Sequence, residues 1–109
     1  MYYIGVDLGG TNIAIGIVDK AMKVVRKGSV PTLPERGAEA IVADMAKLAA
    51  TLLEEAGIPL SEVAYAGIAS PGVCNRETAT VEYSCNLPFR HFEIGKEFMR
   101  HLAVPKVYV

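Results

Sequence analysis

The sequence lacks an excess of charge of either sign, and it lacks long apolar runs. Lys and Arg number 11 against 12 Asp and Glu, and the longest basic run is the pair Arg26 and Lys27. Proteins that bind nucleic acid or anionic lipid by charge carry basic patches. No apolar run approaches the ~20 residues that cross a bilayer, and no basic residue precedes the first apolar stretch as in a secretory leader. We therefore expect small-molecule partners, with no nucleic acid and no membrane.

Cysteine is also scarce, which excludes a disulfide framework. The two cysteines, Cys74 and Cys85, are too far apart for the CxxC spacing of a zinc site. We interpret both as free thiols, and the reducing compartment that suits them predicts a cytoplasmic protein. The two histidines, His91 and His101, have no Cys, His or acidic partner at convincing metal-ligand spacing. We therefore place both histidines at the surface or at a helix end.

The apolar content of the sequence is sufficient for one core. Apolar residues make up 51% of the 109 residues and charged residues 21%, which are the proportions of a soluble globular chain and not of a disordered one. A chain of this length closes one modest core and has no room for two independent domains. We predict one domain, or one piece of a domain, over residues 1–109.

The first half of the chain has the pattern of strands followed by that of a helix. Apolar, β-branched runs broken by turn residues predict three consecutive strands in an antiparallel meander, over Tyr2–Val6, Ile13–Val18 and Met22–Val30. From Glu35 to Ala56 the apolar residues recur at steps of three and four. This spacing predicts one amphipathic helix, which Gly57 and Pro59 end.

The second half predicts a return to the sheet. Val63–Ala69 has the composition of a strand and Ser70–Gly72 that of a turn. Three further elements are predicted after this turn: an extended piece Thr78–Tyr83, a helix Glu93–Leu102 and a strand Lys106–Val109. The order βββαβαβ combines a meander with crossover connections, so we predict an α/β fold with a mixed sheet and helices packed on it.

The residues Asp7-Leu8-Gly9-Gly10-Thr11 lie between the first two predicted strands. Consecutive glycines permit positive φ and let backbone N–H groups approach an anion closely, and the Asp7 carboxylate and Thr11 hydroxyl suit Mg²⁺ and phosphate oxygen. A Walker loop and a Rossmann fingerprint are excluded, because no GxxxxGK[ST] occurs and the turn leads into a strand. Two interpretations stay open at this point: a phosphate-binding hairpin, or a plain hairpin with a favoured Gly-Gly turn.

Three segments resemble the ROK (repressor, ORF, kinase) family of the actin, Hsp70 and sugar-kinase superfamily. Residues 4–11, followed by residues 16–19, are similar to the first phosphate motif of that superfamily in its ROK form, in which Lys or Asn commonly follows the Thr. Residues 67–73, Gly-Ile-Ala-Ser-Pro-Gly-Val, are similar to the family's strand and Pro-Gly loop, and Asn-Leu-Pro follows at residues 86–88. The resemblance extends over residues 3–109.

The resemblance implies a ribonuclease H-like (actin-like ATPase) domain that binds ATP with Mg²⁺ and a hexose. It implies that the ATP phosphates lie on the first motif, with Mg²⁺ held directly or through water by Asp7; the cofactor-binding residues would be Asp7, Gly9, Gly10, Thr11 and Asn12. The sugar-binding residues would be Pro71, Gly72 and Asn86. Because Phe89-Arg90 stands where Gly-Trp is frequent in glucokinases, the identity of the sugar stays open.

The resemblance also implies parts that this sequence does not contain. The family's catalytic base is the Asp of an Asn-Asp pair just after the last predicted strand, so no residue here is nominated as catalytic and the base is expected just beyond Val109. We expect residues 1–109 to be the N-terminal lobe of a longer sugar kinase, truncated at its last strand and inactive alone. The C-terminal lobe, with a possible zinc site, and a homo-oligomeric assembly are expected of the full-length protein.

Three other interpretations stay open. A ROK transcriptional regulator would sense a sugar without phosphorylating it, although such proteins place a helix-turn-helix domain ahead of the first motif and Asp7 here follows almost directly on Met1. A non-catalytic actin-fold ATPase would share the first motif alone. A bare α/β fold with a Gly-Gly hairpin would bind no nucleotide.

Overall fold

The first three strands form the predicted antiparallel meander. The computed structural model describes residues 1–109, and these begin with β1 (Tyr2–Leu8), β2 (Asn12–Asp19) and β3 (Val24–Pro31). β1 extends past the predicted Val6, so Asp7 lies inside a strand and not in the turn after it. β3 begins later than the predicted Met22, because Met22 lies in the turn before it with a φ of 64°.

Helix α1 (Ala38–Ala56) carries the chain from the meander back to the beginning of the sheet. It begins at Ala38 and not at the predicted Glu35, because Pro34–Arg36 forms a separate 3₁₀ turn. Gly37, with a φ of 100°, separates this turn from the helix. The helix ends as predicted at Gly57, whose φ of 69° allows its N–H to bond to the carbonyl groups of the last turn.

After β4 (Val63–Ala69), which pairs in parallel with β1, the chain forms a second, smaller sheet. Its antiparallel strands are β5 (Val73–Asn75), β6 (Thr80–Tyr83) and β7 (Arg90–Phe92). The sequence predicted only the middle strand, within Thr78–Tyr83, because strands of three residues are too short to show alternation. The small sheet is thus an addition to the predicted βββαβαβ order.

Helix α2 (Ile94–His101) and β8 (Val107–Tyr108) complete the fold. β8 pairs in parallel with β4, which gives the central sheet the order β3-β2-β1-β4-β8. Both elements lie within the predicted ranges Glu93–Leu102 and Lys106–Val109. The mixed sheet with helices packed on it confirms the predicted α/β class.

The core lies between one face of the central sheet and the two helices. Alternate residues of β1 and β2 face the helices and are at most 4% exposed: Ile4, Val6, Leu8, Ile13, Ile15 and Ile17. α1 meets them with residues that recur every three or four positions and are equally buried: Ile41, Val42, Met45, Ala49, Leu52 and Leu53. Neither helix has the length and apolar character that a membrane span needs. The opposite face of the sheet, which carries Asp7, is left open.

Gly95, in the first turn of α2, packs directly against the turn before β6. A Cβ at Gly95 would lie 2.6 Å from the Cβ of Ala79 and 3.5 Å from the Cβ of Val107. We expect Gly95→Ala to lower the free energy of unfolding by about 2 kcal/mol, because overpacking outweighs the higher helix propensity of alanine. Urea denaturation followed by circular dichroism measures this change.

The matched control for this prediction is the double variant Ala79→Gly/Gly95→Ala. Ala79 has a φ of 52°, so glycine there relieves backbone strain and also removes the Cβ that the new methyl group would meet. We expect the double variant to recover most of the lost stability. A Gly95→Ala protein as stable as the parent chain, or one that the second substitution does not rescue, would contradict the close packing described here.

Candidate functional site

A cavity of about 700 Å³ opens on the outer face of the central sheet, at the carboxyl ends of β1 and β4. In α/β sheets this is the edge at which ligands bind. Six of the residues singled out from the sequence line the cavity: Asp7, Gly9, Gly10, Pro71, Gly72 and Asn86. Thr11 and Asn12 are exposed on the adjoining hairpin but lie outside the lining. Three of the five residues predicted for phosphate and all three predicted for sugar thus share one space.

A larger cavity of about 1020 Å³ continues from the first across the open face of the sheet. Its floor is a row of glycines on three neighbouring strands, because Gly5 is in register with both Gly16 and Gly67. Without side chains, this row forms a trough between its neighbours. Asp7 and Arg76 line both cavities, so the two form a continuous space with Asp7 at their junction.

The turn between β1 and β2 is fixed by Thr32, which is fully buried at the end of β3. The Thr32 hydroxyl donates to the carbonyl oxygen of Gly9 at 2.8 Å, and the Thr32 N–H donates to the carbonyl oxygen of Thr11 at 2.8 Å. Within the turn, the Gly9 N–H donates to the carbonyl oxygen of Asn12 at 2.9 Å. Because buried polar groups are costly to leave unpaired, these bonds hold the turn in one conformation.

The two glycines of this turn allow close approach and do not supply an unusual backbone conformation. The sequence suggested a use of positive φ, but neither Gly9 nor Gly10 adopts it. A Cβ at Gly10 would lie 2.9 Å from Nδ2 of Asn86, and a Cβ at Gly9 would lie 3.1 Å from the carbonyl oxygen of Asn12. A side chain at position 10 would therefore displace Asn86 from the cavity wall.

Gly72, in the loop after β4, does require its conformation, with a φ of 98°. The loop crosses the end of β6 so closely that a Cβ at Gly72 would overlap the carbonyl oxygen of Tyr83 and lie 3.0 Å from the Cα of Ser84. Pro71 before it restricts the backbone further, since its ring fixes φ. The Pro-Gly pair thus holds the wall of the cavity against the small sheet.

Asn86 lies where the hairpin meets the segment after β6. The Ser84 hydroxyl donates to Oδ1 of Asn86 at 3.1 Å, and Nδ2 lies against Gly10. The segment is anchored by Phe89, which is 2% exposed and stacks on Phe92 with ring centroids 5.2 Å apart. Phe89, the departure from the frequent Gly-Trp pair, is therefore a core residue that supports this wall.

Three residues at the cavity carried no signal in the sequence. Cys74 and Arg76 line it, and Ser84 supports Asn86 from behind. Burial raises the pKa of the Cys74 thiol, so this thiol is neutral at physiological pH. Cys74 and Cys85 are both free, as predicted. No motif marks Arg76, and only the fold shows that this turn residue lines both cavities, as Asp7 does.

The other two aspartates lie in a turn and on a helix surface, and the histidines are exposed, as expected from the sequence. Asp19 accepts two backbone N–H bonds within the β2–β3 turn, and Asp44 pairs with Arg36 at 2.7 Å on the surface of α1. His91 and His101 are exposed, in β7 and at the end of α2, and each lies within hydrogen-bonding distance of a glutamate. These groups take no part in the cavity.

The donor chemistry of the cavity fits Mg²⁺ bound together with a phosphate. No group of three or more His, Cys, Asp or Glu side chains is close enough to hold a metal ion by itself, whereas a structural zinc site needs four such ligands. Mg²⁺ usually keeps several waters and takes one or two carboxylates plus substrate phosphate oxygens. Asp7 offers one exposed carboxylate at the cavity wall, beside the turn.

Comparisons with known proteins agree on one family. The family model of the ROK family matches residues 3–108. The glucokinase of Thermotoga maritima is 40% identical over 88 residues, which are 81% of this chain and 26% of that protein. The crystal structure of a ROK family glucokinase from Streptomyces griseus, in complex with glucose and AMPPNP, has a TM-score of 0.86 and 32% identity over 100% of this chain and 32% of that one.

A ROK family transcriptional regulator, a homologue of the E. coli MLC protein, shares the fold with a TM-score of 0.80 at 16% identity, over 99% of this chain and 27% of that one. The chain thus spans only 26% to 32% of the length of these proteins. The family model and the kinase structure nevertheless match it from one end to the other. The chain belongs to the ROK family.

Proposed function

We propose that the full-length protein transfers the terminal phosphoryl group of ATP to a hydroxyl group of a hexose, with Mg²⁺ as cofactor. One observation carries this proposal: the turn suited to phosphate and the loops suited to sugar line one cavity and meet at Gly10 and Asn86. Phosphoryl transfer is catalysed mainly by holding donor and acceptor in line within one site. The glucokinases among the similar proteins support a sugar as the acceptor.

On the phosphate side, the proposed binding residues are Asp7, Gly9, Gly10, Thr11 and Asn12. The Thr11 hydroxyl and the backbone N–H groups of the turn other than that of Gly9, which is bonded within the turn, donate to phosphate oxygens. Asp7 holds Mg²⁺ directly or through water, and the ion, when bound, neutralises the charge that develops during transfer. The bonds from Thr32 keep the turn in place, so little reorganisation is needed when the nucleotide binds.

On the sugar side, the proposed binding residues are Pro71, Gly72 and Asn86. The amide of Asn86 offers both a donor and an acceptor, which suits the adjacent hydroxyl groups of a hexose. Pro71 and Gly72 contribute a wall without bulky side chains, and the loop that carries them is fixed by its contact with Tyr83 and Ser84. A sugar ring can therefore approach the backbone closely at this side.

The catalytic base is proposed to lie outside residues 1–109. A base must reach the attacking hydroxyl, whereas Asp7 is assigned to the metal, and Asp19 and Asp44 are bonded elsewhere. We propose that this chain is the N-terminal lobe of a cytoplasmic, homo-oligomeric enzyme whose second lobe closes over the nucleotide. Because both lobes must close to align the reactants, the isolated chain is expected to be inactive.

The test is a coupled assay of ADP release by the full-length protein with Mg-ATP. The acceptors are glucose, mannose, N-acetylglucosamine and N-acetylmannosamine, and the 109-residue chain is the control. We expect the full-length protein to turn over at least one of these sugars and the isolated chain to turn over none. A full-length protein that is inactive on all four sugars would overturn the kinase proposal.

A second candidate is a sugar-sensing regulator, since a ROK family regulator shares the fold of this chain. That likeness, at low identity, extends to the fold alone. The kinase and the regulator would both bind a sugar, but only the kinase would phosphorylate it. Isothermal titration of the full-length protein with the same sugars separates them, since a regulator would bind a sugar and release no ADP.

A further inference from the structure

The side chain of Asn86 is held between two groups from distant parts of the chain. Its Oδ1 accepts the hydroxyl proton of Ser84 at 3.1 Å. Its Nδ2 lies so close to Gly10 that a Cβ there would be 2.9 Å away. An asparagine on an exposed segment normally rotates freely about its terminal bond. Here one edge of the amide is bonded, and the other edge faces the turn and the cavity.

Ser84 has the properties of a fixed support and not of a surface serine. It is only 5% exposed, and its backbone N–H donates to the carbonyl oxygen of Phe89 at 3.3 Å. Its Cα lies directly under the loop at Gly72. A serine hydroxyl has a single proton to donate, and at this site that proton is used on Asn86. The position of the Ser84 hydroxyl is therefore set by the core beneath it.

We propose that Ser84 is a positioning residue that orients the Asn86 amide so that its NH₂ group faces the hairpin and the cavity. The ligand atom that meets this edge is then a hydrogen-bond acceptor, such as a sugar hydroxyl oxygen. The proposal deepens the proposed function and rests on it for the identity of the ligand. The orientation of the amide rests on the contacts alone, so it can be tested without turnover.

Kinetics of the full-length protein test the functional consequence. We expect Ser84→Ala to raise the KM for the sugar roughly 3- to 10-fold, the effect of losing one hydrogen bond, with little change in kcat. The double variant Ser84→Ala/Asn86→Ala should have the same KM for the sugar as Asn86→Ala alone, because Ser84 acts through Asn86. Fully additive losses would overturn the proposal.

The matched control is Thr78→Ala. Thr78 also donates its hydroxyl proton to a neighbouring side chain in the small sheet, to Oγ1 of Thr80 at 2.9 Å, but it does not line the cavity. We expect its KM to equal that of the parent protein. The conservative variant Ser84→Thr keeps the hydroxyl and is expected to restore most of the affinity that Ser84→Ala loses.

A spectroscopic experiment tests the orientation itself and separates its failure from failure of the kinase proposal. The full-length protein is labelled with ¹⁵N-asparagine, and the Asn86 side-chain signal is assigned by its loss in Asn86→Ala. We expect this signal to shift in Ser84→Ala and to return in Ser84→Thr, whether or not any sugar is phosphorylated. If the Asn86 signal does not shift in Ser84→Ala, the proposal is overturned, even where the protein is an active kinase.

Discussion

Replacing Gly72 by alanine is expected to lower the free energy of unfolding of the chain by about 3 kcal/mol or more. Two costs combine at this position. The φ of 98° strains any residue with a Cβ, and the new methyl group would overlap the backbone of Tyr83 and Ser84, which cannot move without breaking the small sheet. Urea denaturation followed by circular dichroism measures the loss, and the sugar affinity of the full-length protein should fall with it.

Gly37→Ala is the matched control for Gly72→Ala. Gly37 has almost the same φ, 100°, but a Cβ there would have no atom within 4 Å. It therefore carries the backbone strain without the overlap, and the difference between the two losses isolates the contact between the loop and the small sheet. Equal losses for the two variants would show that the loop can move away from Tyr83 at no cost, against the fixed cavity wall described above.

Replacing Asp7 by asparagine in the full-length protein is expected to lower kcat by roughly 100-fold or more, the effect of removing one group that stabilises charge in the transition state. Asparagine keeps the size of the side chain but loses the charge that would hold Mg²⁺. Because Asp7 is exposed at the cavity wall, the change should leave the free energy of unfolding within about 0.5 kcal/mol of the parent value. ADP release at several Mg²⁺ concentrations measures the effect.

Asp19→Asn is the control for this experiment. Asp19 lies at the other end of β2, where its carboxylate accepts the N–H groups of Ala21 and Lys23, and an asparagine oxygen can accept the same bonds. We expect its kcat to match that of the parent protein. If Asp7→Asn also retained kcat within a few-fold, Asp7 would have no role in binding the metal, and the phosphate side of the cavity would need another assignment.

The parts of the fold that could be predicted from the sequence are those with long, regular patterns. The meander and α1 carry a clear period of two or of three to four residues over many positions, so local pattern was sufficient. The small sheet was largely missed, because β5 and β7 have three residues each. Ala79, which takes a positive φ in this region, also has a side chain that gives no hint of such a conformation.

The candidate site divides in the same way. Recognisable motifs in the sequence pointed to Gly10 and Asn86. The physical reason for a glycine at position 10 could not be deduced from the sequence. The sequence pointed to backbone freedom, whereas the structure shows that a Cβ at position 10 would meet the amide of Asn86 and displace it. Such a reason depends on a contact between distant parts of the chain. Ser84 was missed for the same cause, since its partner is known only from the folded segment.

The connectivity of the central sheet predicts an order in which the two sides of the cavity assemble during folding. β1 and β2 are neighbours in sequence, so their pairing closes a short loop, whereas β1 meets β4 only after β2, β3 and α1, with Tyr2 opposite Val63. Closing the longer loop costs more chain entropy, and non-local pairing is slower. We therefore expect the turn between β1 and β2 to form before β1 pairs with β4, and Asn86 to pack against Gly10 only after that pairing.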